Sequence, residues 1–257
     1  MNNIIIFNNI ITIVSFIVNI SFIIPFAIKI YDYFTNKRYV KKILGFNNSA
    51  VQISHATFNI EIEKGHRHDY ITCEALESVE NIVDLLHIIN QKFYLIENNS
   101  KYNDEINIGG FLANKKVNAY FVKFFDNFKF ITNCSSKNRY DKYPIDQRMI
   151  KYSSDKTGFI INDDIFLETN KNTDYAFLIK LVKTDFKNDN EKTVHIIFGG
   201  GNIGTVKASE YLLTHYKQIY KKYNRKHYFF AIEVNKIDES INYSRGIIDL
   251  TDVMFSK

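Results

Sequence analysis

The sequence has no tryptophan, only two prolines, and only two cysteines, Cys73 and Cys134, in 257 residues. The cysteines are far apart and form no CxxC pair, so the sequence favours neither a structural zinc site nor a disulfide framework. Two reduced thiols are typical of a protein in a reducing compartment. His66, His68 and Asp69 come close together, but no fourth ligand accompanies them. We therefore expect neither a bound metal nor a required cofactor.

The chain also lacks the motifs that mark common enzyme classes. It contains no glycine-rich loop ending in Gly-Lys-Ser/Thr, no HExxH, no nucleophile elbow and no catalytic-triad order of Ser, His and Asp. The net charge is only +5. The basic residues are scattered and form no stripe of the kind that binds nucleic acid. We therefore expect no nucleic-acid partner.

A long uncharged run opens the sequence. Residues 4–28 contain no charged side chain, and about 20 apolar residues suffice to cross the hydrocarbon core of a bilayer. A cleaved signal peptide would have a basic start and a small-x-small cleavage site, and neither is present. The basic residues follow the run and none precedes it: Lys29, Lys37, Arg38, Lys41 and Lys42. The positive-inside rule therefore predicts that the rest of the chain is cytoplasmic.

Three regions follow from this pattern. We expect a transmembrane helix over 1–31, a basic juxtamembrane connector over 32–50 and a cytoplasmic α/β domain over 51–257. Tyr31, Tyr33 and Phe34 would lie at the membrane interface. The sequence thus predicts a single-pass protein of the inner or plasma membrane, with the membrane as one partner.

The rest of the chain alternates between strand and helix patterns. Strands are predicted at 105–110 and 193–198, and each is followed by a helix, at 111–125 and 205–223. The strands between 156 and 198 follow one another without helices, which indicates a local antiparallel arrangement. The pattern is that of an α/β fold, a Rossmann-like mixed (partly parallel) sheet with helices on both faces.

Four of the ten glycines lie within one stretch, VHIIFGGGNIGTVKASEYLL, at 194–213. A glycine turn between a strand and a helix lets another molecule approach the backbone closely, and the N-terminus of the helix attracts anions. Thr205 can cap the helix. The stretch predicts a phosphate or nucleotide site formed by Gly199, Gly200, Gly201, Asn202, Gly204 and Thr205. The alternative is a tight turn that serves only close packing of the strand against the helix.

Two further loops follow predicted strands. Since ligands of α/β sheets collect at the carboxyl ends of strands, we expect these loops to join the glycine turn in one pocket for a small phosphorylated ligand. The first loop contributes Lys64, His66 and Arg67, and the second contributes Gly109, Gly110 and Asn114. Glu210 is the catalytic candidate, as a nucleophile or base. The alternative for Glu210 is an exposed position on its helix.

The stretches IIFGGGNIGTVKASEYL and INIGGFLAN resemble the Rossmann-like nucleotide-sensing or nucleotide-processing domains that prokaryotes attach to transmembrane helices, such as SLOG and deoxyribosyltransferase-like domains. The resemblance implies that the body binds a nucleotide. In deoxyribosyltransferases a Gly-Thr pair is followed closely by a catalytic glutamate. Here Gly204-Thr205 is followed by Glu210, five residues after Thr205, a longer spacing than in the family.

Three functions are compatible with the sequence. The first is a membrane-anchored module that binds a nucleotide or phosphate ligand and acts as a sensor or effector, with association into a homo-oligomer as its output. The second is an enzyme that transfers or hydrolyses the glycosyl group of a nucleotide or nucleotide sugar. The third is a membrane-anchored structural protein without a ligand.

Overall fold

Strands with buried side chains and amphipathic helices alternate along the chain. The computed structural model describes residues 2–46, 50–55, 58–63, 66–70, 72–95, 104–110, 114–133, 146–184, 191–223, 227–242 and 246–255. It describes the backbone alone for 2–22, 58–63, 66–70, 147, 183–184 and 191. The helices are α1 (Asn2–Leu44), α2 (Cys73–Ile88), α3 (Lys115–Phe124), α4 (Asn202–Lys222) and α5 (Thr251–Phe255).

An eight-stranded sheet forms the centre of the protein. Its strands are β1 (Ala50–His55), β4 (Lys92–Leu95), β5 (Asp104–Ile108), β10 (Thr173–Thr184), β11 (Glu191–Gly199), β12 (Tyr228–Asn235), β13 (Ser240–Ile241) and β14 (Ile247–Asp249). The order is β13-β12-β10-β11-β5-β1-β4, with β14 also paired to β12. Strands β4, β1, β5 and β11 are parallel, and β10 is antiparallel to both β11 and β12. The expected mixed, partly parallel sheet is confirmed.

Two hydrophobic cores cover the two faces of this sheet. Helices α1, α2 and α4 contribute to the first core, and α3 and α5 contribute to the second. A four-stranded sheet also covers the second face: β6 (Phe128–Asn133), β7 (Ile150–Ser153), β8 (Gly158–Ile161) and β9 (Ile165–Glu168). Phenylalanines dominate the second core, where the rings of Phe177 and Phe198 stack with centroids 4.6 Å apart. A hairpin of β2 (Phe58–Glu63) and β3 (His66–Tyr70) forms a third, separate sheet.

Helix α1 continues without interruption into the core of the domain. The expected connector at 32–50 is helical as far as Leu44, and Val40, Ile43 and Leu44 are buried against the first core. The expected membrane span at 4–28 lies mostly on residues 4–22, whose side chains are outside the described part of the protein. Among the residues whose side chains the structure describes, no helix has the length and apolar character needed to cross a membrane.

Three buried side chains of the large sheet bind the C-terminal end of α1. The Nζ atom of Lys180 donates to the carbonyl of Ile43, and Nε2 of His195 donates to the carbonyl of Leu44, both at 2.8 Å. The hydroxyl of Thr193 donates to the carbonyl of Gly45, also at 2.8 Å. The last carbonyls of a helix have no partner within the helix, and a cation is favourable at this negative end of the dipole. These contacts fix α1 to the central strands β10 and β11.

Candidate ligand site at the carboxyl edge of the sheet

The glycine turn after β11 brings the strand and helix α4 into direct backbone contact. A Cβ atom on Gly199 would overlap the backbone of Gly204 and Thr205, so neither Gly199 nor Gly204 has room for a side chain. Gly201 is the N-cap of α4 and has no side chain with which to cap the helix, so the expectation that Thr205 is the cap is wrong. The Thr205 hydroxyl instead accepts from the N–H of Gly199 at 2.9 Å and donates to the carbonyl of Gly201 at 3.2 Å.

The carboxylate of Asp174 binds the backbone amides at the open side of the glycine turn. Its Oδ2 accepts from the N–H of Gly201 at 2.9 Å, its Oδ1 accepts from that of Tyr175 at 2.8 Å, and the N–H of Gly204 also bonds to it. The N–H of Gly200 donates to the carbonyl of Tyr175 at 3.0 Å. A ligand anion at these amides would have to displace a buried negative charge, so we do not place the ligand there.

Burial affects the protonation of Asp174. The side chain is only 3% exposed, and desolvation raises the pKa of its carboxyl above the ordinary value. The amide donors of Tyr175, Gly201 and Gly204 and the charge of Lys236 act in the opposite direction. The amides of the turn therefore replace the water that this carboxylate loses on folding.

A surface cleft of about 390 Å³ opens beside the turn. Its lining includes Lys171, Asp174, Gly200, Gly201 and Lys236. The Nζ atom of Lys236 donates to the carbonyl of Asn170 at 3.0 Å. The lysine side chains of the cleft could bind an anion. The glycine amides could not do so together with them, because the carboxylate of Asp174 already binds those amides.

The second glycine loop, after β5, lies next to the first. The N–H of Gly109 donates to the carbonyl of Ile197 at 2.9 Å, and a Cβ on Gly110 would lie 3.8 Å from the carbonyl oxygen of Gly199. Asn114 is the N-cap of α3, where its Oδ1 accepts from the N–H groups of Lys116 and Val117. The structure thus brings together two of the three loops that the sequence predicts at this edge.

The remaining predicted loop, which contains Lys64, His66 and Arg67, belongs to the β2–β3 hairpin. Lys64 lies outside the described residues, and for His66 and Arg67 the structure gives only their backbone positions on β3.

The chain leaves β5 and β11 towards opposite faces of the sheet. Helix α3, after β5, packs in the second core, whereas α4, after β11, packs in the first. The two strands are parallel neighbours, so their carboxyl ends form the kind of switch point at which a crevice is expected. Open α/β sheets bind their ligands in such a crevice.

One half of the second sheet face is polar although it is buried. Strands β10, β11 and β12 present mainly aromatic and aliphatic side chains on this face, whereas β1 and β5 present Gln52, Ser54, Glu105 and Asn107. Gln52 lies opposite Glu105 and Ser54 opposite Asn107. We call these four residues, with Lys116 and Tyr120 of α3, the polar half-face. Burying polar groups is costly unless each finds a hydrogen-bond partner, so this composition needs a reason.

Glu105 organises the charges of the polar half-face. Its Oε1 lies 2.7 Å from Nζ of Lys192 and 3.8 Å from Nζ of Lys116, and its Oε2 accepts from the Tyr120 hydroxyl at 3.0 Å. Burial raises the pKa of Tyr120, and the charge and hydrogen bond of Glu105 raise it further. Burial lowers the pKa of Lys116, which the charge of Glu105 opposes and that of Lys192 assists. The cluster holds two cations against one carboxylate.

Several donors of this region have no acceptor. The Ser54 hydroxyl donates to Oδ1 of Asn107 at 2.6 Å, but within the described part of the chain Nδ2 of Asn107 is buried with no hydrogen-bond partner. The same holds for Nζ of Lys116 and for Nδ2 of Asn118, one turn after Asn114 on α3. A buried donor without a partner costs about 1–3 kcal/mol. A ligand rich in acceptor oxygens would remove this cost.

Glu210, the predicted catalytic residue, lies on α4 and belongs to none of these clusters. Its carboxylate pairs with Lys207 on the same helix at 2.6 Å, and its side chain is 44% exposed. This is the pattern of a surface helix pair at i,i+3. No group of three or more metal-ligating side chains occurs among the residues that the structure describes.

None of the residues Glu105, Asn107 and Lys116 is among the site residues predicted from the sequence. The signal for them was present: in the stretch EINI the apolar Ile106 and Ile108 alternate with the polar Glu105 and Asn107. Such alternation normally indicates a strand with one solvent-exposed face. Both faces of β5 are buried, which only the structure reveals.

No protein-family model, no curated protein and no solved structure matches the chain. The fold and the site together define a mixed α/β protein with buried polar side chains on β1 and β5, next to the switch point between β5 and β11.

Proposed function

We propose that the chain is a membrane-anchored module whose cytoplasmic body binds a small phosphorylated ligand at the carboxyl edge of the large sheet. The observation that carries this proposal is Nδ2 of Asn107 on the polar half-face, which is buried and has no hydrogen-bond partner among the described residues. Proteins tolerate unsatisfied buried donors where function requires them. The site favours binding, since Glu210 is paired at the surface of α4.

The membrane part of the proposal is supported by the exposed side chains of α1. Between residues 23 and 34 the large apolar side chains are 41–70% exposed: Ile23, Ile24, Phe26, Ile28, Ile30, Tyr31, Tyr33 and Phe34. Contiguous exposed apolar surface of this kind marks contact with a membrane or a partner. The aromatic residues precede Lys37, Arg38, Lys41 and Lys42, as at a cytoplasmic membrane interface. We propose that residues 4–28 span the bilayer.

The binding function is tested by calorimetric titration of the full chain in dodecyl maltoside, a detergent without phosphate. We expect at least one member of a panel of nucleoside mono-, di- and triphosphates to bind. Glu210→Gln should bind that ligand as the wild type does, because its carboxylate lies outside the site. If no nucleotide, nucleotide sugar or inorganic phosphate produces heat of binding, the proposed function is wrong.

A further inference from the structure

Lys116 is a cation in an unfavourable position. It is the second residue of α3, at the positive end of the helix dipole, where anions and not cations are stabilised. Its Nζ is buried without a hydrogen-bond acceptor among the described residues. Because a natural sequence violates such local rules mainly at functional sites, this lysine points to an anion that the protein itself does not supply.

Glu105 is an ion-pair partner of Lys116 but makes no hydrogen bond to it, because the carboxylate oxygens lie closer to other donors. Lys192 binds Oε1 at 2.7 Å and the hydroxyl of Tyr120 binds Oε2 at 3.0 Å, whereas Lys116 remains at 3.8 Å. One positive charge is therefore left over on the polar half-face. The Asp174 carboxylate belongs to the glycine turn, where it is bonded to the amides of Tyr175 and Gly201.

Asn107 adds an uncharged donor on the same face of β5, two residues after Glu105. Its Oδ1 is occupied by the Ser54 hydroxyl, so the group it offers is Nδ2, which can only donate. Lys116 likewise only donates. A matching group must accept at several positions and carry negative charge, as the oxygens of a phosphate do.

We propose that a phosphate group of the ligand binds over β5 between Lys116 and Asn107, held by side-chain donors and not by the glycine amides. This assignment rests on the proposed function and gives the ligand class: a phosphomonoester or pyrophosphate whose terminal group enters the polar half-face. The nucleoside alone lacks the group that these donors need.

The test compares Lys116→Met with Lys115→Met in calorimetric titrations with AMP, pyrophosphate and inorganic phosphate. Both variants lose one positive charge from the first turn of α3, but Lys115 is exposed. We expect Lys116→Met to weaken binding of the phosphorylated probes at least about tenfold, the usual effect of losing a hydrogen bond to a charged group. Lys115→Met should change it less than about twofold, and adenosine should not bind to any form.

A second measurement separates binding from folding. Because Lys116→Met removes a buried donor without a partner, we expect its melting temperature without ligand to equal or exceed that of the wild type. Asn107→Leu also removes the acceptor of the Ser54 hydroxyl, so its melting temperature should be lower. The increase in melting temperature that AMP or pyrophosphate produces in the wild type should be absent in both.

Two outcomes would overturn the assignment. If Lys236→Met abolishes binding while Lys116→Met does not, the phosphate lies in the cleft beside Asp174, and the proposed function survives at another place. If Lys116→Met lowers the melting temperature and leaves the affinity unchanged, its role is structural. Absence of binding to the wild type would refute the proposed function as well.

Discussion

At the scale of single residues, Asp174 decides what the glycine turn can do. Its carboxylate takes the place that a ligand phosphate would have at the amides of Gly201 and Gly204. The sequence could not reveal this, because Asp174 precedes the turn by 27 positions and meets it only through the pairing of β10 with β11. A glycine-rich turn before a helix correctly predicts a bound anion here, but that anion is the carboxylate of Asp174 and not a ligand.

We expect Asp174→Asn to destabilise the protein by about 1–3 kcal/mol, since an amide cannot accept at both oxygen positions and its NH₂ would face a peptide donor. Urea unfolding of the full chain measures the change. Asp84→Asn, at an exposed position of α2, is the control and should stay within about 0.5 kcal/mol of the wild type. Equal midpoints for the two variants would contradict the role assigned to Asp174.

His195 makes the stability dependent on pH. The carbonyl of Leu44 can only accept, so Nε2 carries the proton and Nδ1 faces the hydroxyl of Tyr228 at 3.4 Å. Burial, assisted by the charge of Lys180, lowers the pKa of His195 to about 3. The unfolded chain therefore takes up this proton first as the pH falls, so the contribution of the neutral ring is complete above pH 6.5 and is lost progressively towards pH 3.

His195→Gln keeps a donor for the Leu44 carbonyl but does not titrate. Between pH 7.5 and 5, the wild type should lose about 2 kcal/mol more unfolding free energy than this variant, because each pH unit below 6.5 costs up to about 1.4 kcal/mol. Urea unfolding at a series of pH values gives both curves. Parallel curves would show that His195 is protonated or accessible in the folded protein.

At the scale of elements, the glycine turn allows β11 and α4 to pack closely against each other. A Cβ on Gly204 would lie 2.6 Å from Oδ2 of Asp174 and 2.8 Å from the carbonyl oxygen of Tyr175, whereas a Cβ on Gly201 would have Oδ2 at 3.4 Å as its nearest neighbour. Gly201 has φ −137°, which any residue adopts. Position 204 therefore requires glycine and position 201 does not, although both lie in the same motif.

We predict that Gly204→Ala costs about 1–3 kcal/mol of stability through overpacking against backbone, and that Gly201→Ala costs well below 1 kcal/mol. Thermal unfolding of the two variants compares them directly. If Gly201→Ala were as damaging as Gly204→Ala, the turn would have a requirement for glycine beyond packing.

The sequence predicted the elements with strong periodicity better than the short ones. The helices at 111–125 and 205–223 correspond to α3 and α4, and the strand at 193–198 to the end of β11. Strand β1, Ala50–His55, was not predicted. It is buried on both faces, and its polar residues Gln52 and Ser54 are not expected in a strand of that kind. That β6, β7, β8 and β9 form a separate sheet was also not predicted: β6 pairs with β7 in parallel across residues 134–149, and no local pattern indicates such a pairing.

At the scale of the whole molecule, β11 connects the candidate site to α1. Lys192 points to Glu105 of the polar half-face, whereas its neighbour Thr193 donates to the carbonyl of Gly45 at the end of α1. Adjacent residues of one strand thus contact the site on one face and the helix on the other. The body and α1 are therefore joined by a buried, hydrogen-bonded contact in place of a free connector.

This contact predicts where the domain begins. Removing residues 2–34 deletes the exposed apolar part of α1 but keeps Val40, Ile43 and Leu44 in the core, so we expect a body that melts cooperatively and stays in the supernatant after ultracentrifugation without detergent. The full chain should instead sediment with membranes and resist carbonate extraction. Sedimentation of the shortened chain would mean that another surface binds lipid.

Removing residues 2–46 should abolish cooperative folding. Each lost core side chain costs about 2–5 kcal/mol, and Lys180 and His195 would lose the carbonyls of Ile43 and Leu44 as acceptors. The sum approaches the 5–15 kcal/mol that stabilises a typical domain. Circular dichroism during heating compares the two shortened chains. Equal melting temperatures would show that the last turns of α1 are dispensable, because a body that folds without them cannot depend on the contacts of Lys180, His195 and Thr193.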